Sequence, residues 1–319
     1  MAQIAYPQDP QPAPHTGNGP FLVIANKGSG TNARDGEALT RALEVLSDED
    51  ARLRHWAPGE DLRALIAEEI RRGARTVVAA GGDGTVMAVA DALHGQDAAL
   101  AALPLGTFNY FTRGLGLPED PEAAARALLE ARPREIRVAT VNGRVFLNNA
   151  SLGIYPAILK EREDVYRRFG RRRLMAHWSV VRTFWRFQNP MRLTLTEKDG
   201  TTRSLRTPLL FVARSSYQLE RFHLAGQSAI HRDRLAVLLG RGNSRAALFR
   251  LCWRLITRRM EEGRDYELIE AEAIRVETAS SRPLLAFDGE KRRTRPPLDF
   301  AMDEVPLQVL LPSPEEAQQ

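Results

Sequence analysis

Cysteine is almost missing from these 319 residues: Cys252 stands alone. That excludes an internal disulfide and a cysteine-based zinc cluster, and a reducing cytoplasm is the simple expectation. No run approaches the ~20 apolar residues of a membrane-spanning helix, so a membrane would be met from its surface. The first residues lack the apolar stretch of a signal peptide. They are rich in Pro, Gln, Gly and Asn, and residues 1–19 read as a disordered tail. The six histidines show no i, i+4 metal pairing, and no G-x-x-x-x-G-K-[ST] loop occurs. Lysine is scarce, so the net charge of +5 is carried by arginine, which suits phosphates and anionic lipid heads. Charge alone is weak warrant for a nucleic-acid partner, and none is expected.

What the sequence has is an abrupt transition. The apolar run Val77-Val78-Ala79-Ala80 stops at Gly81-Gly82-Asp83-Gly84-Thr85, and Val86, Val89, Ala90 and Leu93 then follow at helical spacing. A strand that turns through glycine into a helix N-terminus makes a phosphate seat. The backbone approaches closely, the first-turn N–H groups point outward, and the helix dipole favours an anion. Strands are expected at Phe21–Ala25, Ala51–Trp56, Thr76–Ala80 and Ala99–Leu103, with helices after the first three. This alternation predicts a parallel sheet covered on both faces. Ligands of such sheets sit beyond the carboxyl ends of the strands, where Asn26–Gly30, Gly81–Thr85 and Pro104–Thr107 all fall.

The pattern changes after about Pro133. Hairpins are expected around Asn142-Gly143 and Asp199-Gly200. Short strands are expected at Leu209–Ala213, Arg234–Leu239, Ala273–Glu277 and Leu284–Phe287, and a last one at Leu307–Leu311. The expected fold is an α/β N-terminal domain with a parallel sheet plus a C-terminal, mostly β sandwich domain. The first takes residues 20–133 and 299–312, the second residues 134–298 with two helical insertions. In one insertion Leu174, Trp178, Val181 and Trp185 share a face beside Arg171, Arg172, Arg173, Arg182 and Arg186. In the other, Leu248, Leu251, Cys252 and Leu255 make a stripe, with Arg250, Arg254 and Arg258 at i+4 spacing. Basic amphipathic helices suit an anionic membrane. Stripes packed on the β domain, with solvated arginines, explain the pattern equally well.

Gly28-Ser29-Gly30-Thr31-Asn32-Ala33 formally fits the dinucleotide pattern G-x-G-x-x-A. Its spacing from the strand is loose and no acidic residue clearly ends the second strand, which disfavours a dehydrogenase. Gly81–Thr85 is more specific because it has company. Pro104-Leu105-Gly106-Thr107-Phe108-Asn109-Tyr110-Phe111 follows the next strand, and Phe287-Asp288-Gly289-Glu290 lies far downstream. With these motifs, and with Phe146–Gly153 and Arg295–Leu298, the sequence resembles the diacylglycerol kinase catalytic-domain superfamily from about Phe21 to Pro312. That superfamily includes bacterial lipid kinases and sphingosine kinases.

The resemblance implies a two-domain fold whose last strand returns to the first domain, with the active site in the interdomain cleft. It implies ATP and Mg²⁺ as cofactors. Asn26, Ser29 and Gly30 match the first nucleotide loop. Gly81, Gly82, Asp83, Gly84 and Thr85 match the loop that holds the ATP phosphates, and Thr107 and Asn109 fall in the next nucleotide-contacting motif. Asp288 is the first choice for the proton acceptor and Glu290 its close rival. Read without the resemblance, Asp288 is a turn residue of an Asp-Gly hairpin. Ile230, Asp233 and Leu235 match a magnesium loop, with Asp233 as a turn residue before a strand being the plain alternative. Asp83 cannot touch phosphate without repulsion, so its role is a bridging Mg²⁺ or ordering of the loop backbone. The chain departs from the family at Tyr110, where an aspartate is common, at Lys27, where proline is usual, and at His55, where a threonine is common.

The function expected is transfer of the ATP γ-phosphate to a lipid hydroxyl, with diacylglycerol as the default acceptor. The alternatives are an NAD kinase, which shares Gly-Gly-Asp-Gly, and a degenerate member that binds nucleotide or lipid without turnover. The partners expected are the lipid substrate, an anionic membrane met peripherally at its inner, cytoplasmic face, and a second copy of the chain in a homodimer.

Overall fold

The computed structural model describes residues 19–26, 33–47, 50–57, 59–106, 108–154, 190–242 and 244–312. Ser29, Gly30 and Thr107 lie outside the described residues, as do Lys27, the terminal tail and the expected helix bearing Trp178 and Trp185. The chain divides into two compact units, residues 1–138 with 303–319, and residues 139–302.

The first unit is built on alternating strands and helices: β1 (Phe21–Asn26), α1 (Ala33–Val45), β2 (Arg52–Trp56), α2 (Leu62–Arg71), β3 (Thr76–Gly81), α3 (Asp83–Leu93), β4 (Ala99–Pro104), α4 (Tyr110–Gly114), α5 (Pro121–Glu130) and β5 (Arg132–Ile136). The last strand of the chain, β18 (Leu307–Leu311), returns here, and the sheet order is β2-β1-β3-β4-β18-β5. All neighbours are parallel except β18 and β5. Every residue of β3 and β4 is buried, as expected of strands covered on both faces. Phe21, Val23, Ala25, Val78, Ala80, Ala101 and Leu103 pack with Ala42 of α1, Leu46 just after it, and Ala124 and Leu128 of α5. The two edge strands carry Arg52 and Arg54 on one side and Arg132, Pro133 and Arg134 on the other, residue types that discourage pairing with another chain.

The second unit holds two six-stranded antiparallel sheets. One contains β6 (Ala139–Val141), β7 (Arg144–Phe146), β9 (Met191–Glu197), β10 (Thr202–Thr207), β14 (Ala273–Thr278) and β17 (Leu298–Met302), in the order β10-β9-β14-β17-β6-β7. The other contains β8 (Asn149–Gly153), β11 (Leu209–Ala213), β12 (Leu235–Gly240), β13 (Tyr266–Ala271), β15 (Leu284–Phe287) and β16 (Glu290–Arg293), in the order β13-β12-β11-β8-β15-β16. Phe146 and Phe300 meet edge to face at 6.4 Å, a geometry worth about 1 kcal/mol beyond burial. Among the described residues this unit carries the helices α6 (Ser216–Arg221), α7 (Gln227–His231) and α8 (Arg245–Ile256). Leu219, Ala229 and Ile230 of α6 and α7 bury against Ala213, Ala236 and Leu238 of the second sheet.

The return to the first unit comes later than residue 299. β17 pairs with β14 and β6, so those hydrogen bonds hold Leu298–Met302 in the β unit and the chain crosses back after Met302. At the other boundary β5 pairs with β18 in the first sheet, which moves the crossing from Pro133 to Val138.

Candidate active site

Three neighbouring strands of the first sheet end at motif residues: β1 at Asn26, β3 at Gly81 and β4 at Pro104. Helix α3 starts directly from the second of them. Asp61 and Asp120 cap α2 and α5 with their side chains, whereas α3 begins at Gly82 with no side-chain cap. Its N-terminal dipole and backbone N–H groups thus lie at the carboxyl edge of the sheet, a ready site for an anion.

Glycine is required here by close approach. A Cβ on Gly81 would lie 2.6 Å from Thr85 Cβ. A Cβ on Gly82 would lie 3.2 Å from Gly106 Cα, and one on Gly106 would run into Gly82 Cα and stand 2.6 Å from Asn109 Oδ1. The Gly81–Thr85 turn and the turn after β4 therefore rest backbone on backbone, and Leu105 N–H donates to Gly81 O at 3.1 Å.

Asn109 closes the second turn. It adopts the left-handed conformation, φ 49, which asparagine tolerates better than most residues. Its Oδ1 accepts the Gly106 N–H at 3.1 Å and its Nδ2 donates to Gly106 O at 2.9 Å. Both ends of the buried amide are thus spent on shaping the loop that contains position 107. Asp83 ties the two motifs together: its Oδ1 accepts the Phe111 N–H at 3.0 Å, at the start of α4. This bond orders the loop backbone, one of the two roles open to Asp83. Tyr110, in the position of a common aspartate, stacks on Phe108 with ring centroids 5.6 Å apart. His55 is exposed on the edge strand β2.

The downstream motif lies in the second unit. Asp288 and Gly289 are the two loop residues of the β15–β16 hairpin, where Phe287 pairs with Glu290. Both have positive φ, 47 and 87, as such tight hairpins demand. The turn reading of Asp288 is thus correct, and the side chain does more. Its Oδ2 accepts the Leu147 N–H at 2.6 Å, and its Oδ1 accepts the N–H groups of Asn148 at 2.8 Å and Asn149 at 2.9 Å. The carboxylate is buried and clamps the hairpin tip to the start of β8. Two residues on, Glu290 is exposed at the first position of β16.

Ile230, Asp233 and Leu235 fall at the turn from α7 into β12. The donors offered are hard oxygens, as Mg²⁺ prefers. The carboxylate of Asp233, however, already holds a cation: Arg214 Nη2 sits 3.1 Å from its Oδ1. Ile230 O accepts the Asp233 N–H at 3.0 Å, and Leu235 is a fully buried strand residue paired with Ala271. Among the described residues no group of three or more His, Cys, Asp or Glu side chains could hold a metal. As arranged here the loop does not fit a resident Mg²⁺, because the Arg214 guanidinium supplies the positive charge. No spacing rule links Arg214 to Asp233, so sequence reasoning missed it.

These glycine turns can be compared with known proteins. Residues 20–141 match the diacylglycerol kinase catalytic domain. The sequence resemblance to that superfamily therefore holds over this stretch, which spans the glycine turns after β3 and β4. The chain is similar to the "Probable lipid kinase YegS-like" of Pseudomonas aeruginosa strain UCBPP-PA14, 49% identical over 100 residues, 31% of this chain and 32% of that protein. It is similar to the protein of the same name from Cronobacter sakazakii, 35% identical over 142 residues, 42% of this chain and 46% of that protein. The chain thus matches about a third to a half of the length of these relatives. In fold it is similar to a diacylglycerol kinase from Bacillus anthracis str. Sterne, with a TM-score of 0.63 at 19% identity, covering 92% of this chain and 97% of that one.

Proposed function

We propose that this protein transfers the γ-phosphate of ATP to the hydroxyl of a lipid, with diacylglycerol as acceptor and phosphatidic acid as product. The observation that carries the reading is the uncapped N-terminus of α3, packed so closely on the next turn that a Cβ on Gly106 would strike Gly82 Cα. Phosphoryl transfer asks for positioning and neutralised charge more than for covalent help, and this arrangement supplies both. The first unit takes the phosphate-holding role, through Gly81–Thr85 and Asn26. The second unit takes the proton-accepting role.

Within the Asp288-Gly289-Glu290 motif the roles separate. The Asp288 oxygens are engaged by three backbone N–H groups, so Asp288 is a positioning residue. Glu290, exposed beside it, is the proton acceptor. The lipid oxygen forms a bond to the γ-phosphorus as the bond from that phosphorus to the β,γ-bridging oxygen breaks. The hydroxyl proton passes to the Glu290 carboxylate, and ADP carries away the displaced electron pair. Mg²⁺ is proposed as the companion of ATP and not as a ligand of Asp233.

The test is purified protein with γ-labelled ATP, presented in parallel with diacylglycerol, other hydroxyl lipids and NAD. Label in a lipid supports the reading. Label in NAD alone supports the NAD kinase alternative, and nucleotide binding with no labelled acceptor supports the degenerate one. A lipid kinase working on bilayer substrates also needs peripheral contact with the membrane.

A further inference from the structure

Helix α8 has two apolar faces, and only one of them is covered. Ser244 caps the helix, its hydroxyl accepting the Ala247 N–H at 3.1 Å. Leu248 and Leu251 turn inward and pack with Ile154, with Leu209 and Met260 closing the cluster. The opposite face carries Phe249, Trp253 and Ile256, at i, i+4 and i+7, a spacing that places them on one side of a helix. They are 65%, 61% and 73% exposed, above every other large hydrophobic side chain among the described residues.

Arginine dominates the charge on this helix. Arg254 is drawn inward, with Nε 2.6 Å from Oδ2 of the fully buried Asp265 and Nη2 2.5 Å from Glu261. Glu261 is bridged by Arg264 as well, so the nearby carboxylates at 261 and 265 are neutralised. Arg250, Arg258 and Arg259 are exposed and make no ion pair among the described residues.

We infer that this face of α8 is the surface by which the protein lies on an anionic bilayer. Phe249, Trp253 and Ile256 enter the boundary between headgroups and acyl chains, and Arg250, Arg258 and Arg259 meet the lipid phosphates. Tryptophan and arginine flanking an aliphatic stripe match the chemistry of that boundary. A second copy of the chain is a poorer occupant, because a two-fold contact would bring the same three exposed arginines face to face. The inference rests on the lipid-kinase reading for its purpose, and its measurement does not depend on that reading.

The experiment is co-sedimentation of the full chain, without nucleotide, with vesicles of phosphatidylcholine alone or mixed with phosphatidylglycerol. The wild type is expected to bind the anionic vesicles and to release in high salt. A Phe249→Ser/Trp253→Ser variant is expected to bind them about tenfold or more weakly, with unchanged circular dichroism. Arg250→Gln/Arg258→Gln/Arg259→Gln is expected to abolish the preference for anionic lipid. Equal vesicle binding by the wild type and the serine variant overturns the inference, as does no binding by the wild type. A wild-type dimer that the serine variant dissociates, without vesicle binding, overturns it in favour of a copy-to-copy interface. Phosphorylation of a soluble short-chain diacylglycerol, measured on the same proteins, reports separately on the kinase reading.

Discussion

Gly82 and Gly106 face each other so closely that a methyl group on Gly106 would run into Gly82 Cα, whereas one on Gly82 would stand 3.2 Å from Gly106 Cα. The asymmetry predicts an order of effects. Gly106→Ala must move backbone and costs about 1–3 kcal/mol, with loss of ATP binding. Gly82→Ala is accommodated by a few tenths of an ångström and is milder on both measures. Denaturant unfolding and ATP titration of the two variants check the order.

Asp83 gives a second expectation. Asp83→Ala removes the acceptor for the Phe111 N–H, a charge-assisted bond whose loss costs about 1–3 kcal/mol. Asp83→Asn keeps a carbonyl oxygen in place and is expected to unfold within about 1 kcal/mol of the wild type. Equal destabilisation by the two variants would show that the charge, and not the hydrogen bond, fixes the turn.

Asp288 and Glu290 are expected to fail differently. Asp288→Asn sets an amide among three N–H donors that the carboxylate now satisfies, and it is expected to lower stability by about 2–4 kcal/mol. Glu290→Gln changes an exposed residue and is expected to leave stability within about 0.5 kcal/mol while lowering kcat by about 10²–10⁴. Unfolding curves and turnover measured on both variants separate the positioning role from the proton-accepting one.

The Arg214–Asp233 pair is expected to make the α7–β12 turn indifferent to divalent cations. Without nucleotide, Mg²⁺ leaves the melting temperature of the wild type unchanged. Arg214→Ala strips the cation from a partly exposed carboxylate and costs about 1 kcal/mol. Mg²⁺ is then expected to restore part of that loss. A wild-type melting temperature that rises with Mg²⁺ alone would contradict the assignment.

Cys252, half-buried on α8, has its thiol pushed up to about 11 by burial. The sign follows directly: a raised thiol pKa leaves less thiolate at any pH below it. At pH 8 the thiolate fraction is about a hundredfold below that of a thiol at its ordinary pKa. Alkylation is therefore expected to be slow in the native protein and to accelerate on unfolding, as followed by mass spectrometry.

Much of the fold was legible because hydrophobic period and turn chemistry agree with it. Leu209–Ala213 and Leu307–Leu311 are strands with the bounds the sequence indicates, and Asn142-Gly143 and Asp199-Gly200 stand in the hairpin turns. The glycine turn between β3 and α3 was legible too, since the close approach at Gly81 and Gly82 has no room to spare for a Cβ. Other features depend on tertiary contacts. β8 lies among asparagine, serine and glycine, and its pairing with β11 and β15 defines it. Helix α5 begins at an Asp120 cap with Pro121 in its first turn. On α8 helical spacing shows the Leu248–Leu251 stripe, whereas only tertiary packing shows that Phe249, Trp253 and Ile256 stay exposed. The same helix also shows Arg254 leaving the arginine row for Asp265, a partner no helical spacing reveals.

The central claim is that the chain phosphorylates a lipid and that Glu290 takes the proton. Its most direct test is lipid mass spectrometry of cells expressing the wild type or Glu290→Gln at equal levels. The account predicts that phosphatidic acid, or another phosphorylated lipid, rises with the wild type and stays at background with the variant. An equal rise from both proteins, or no phosphorylated lipid from the wild type, would contradict it.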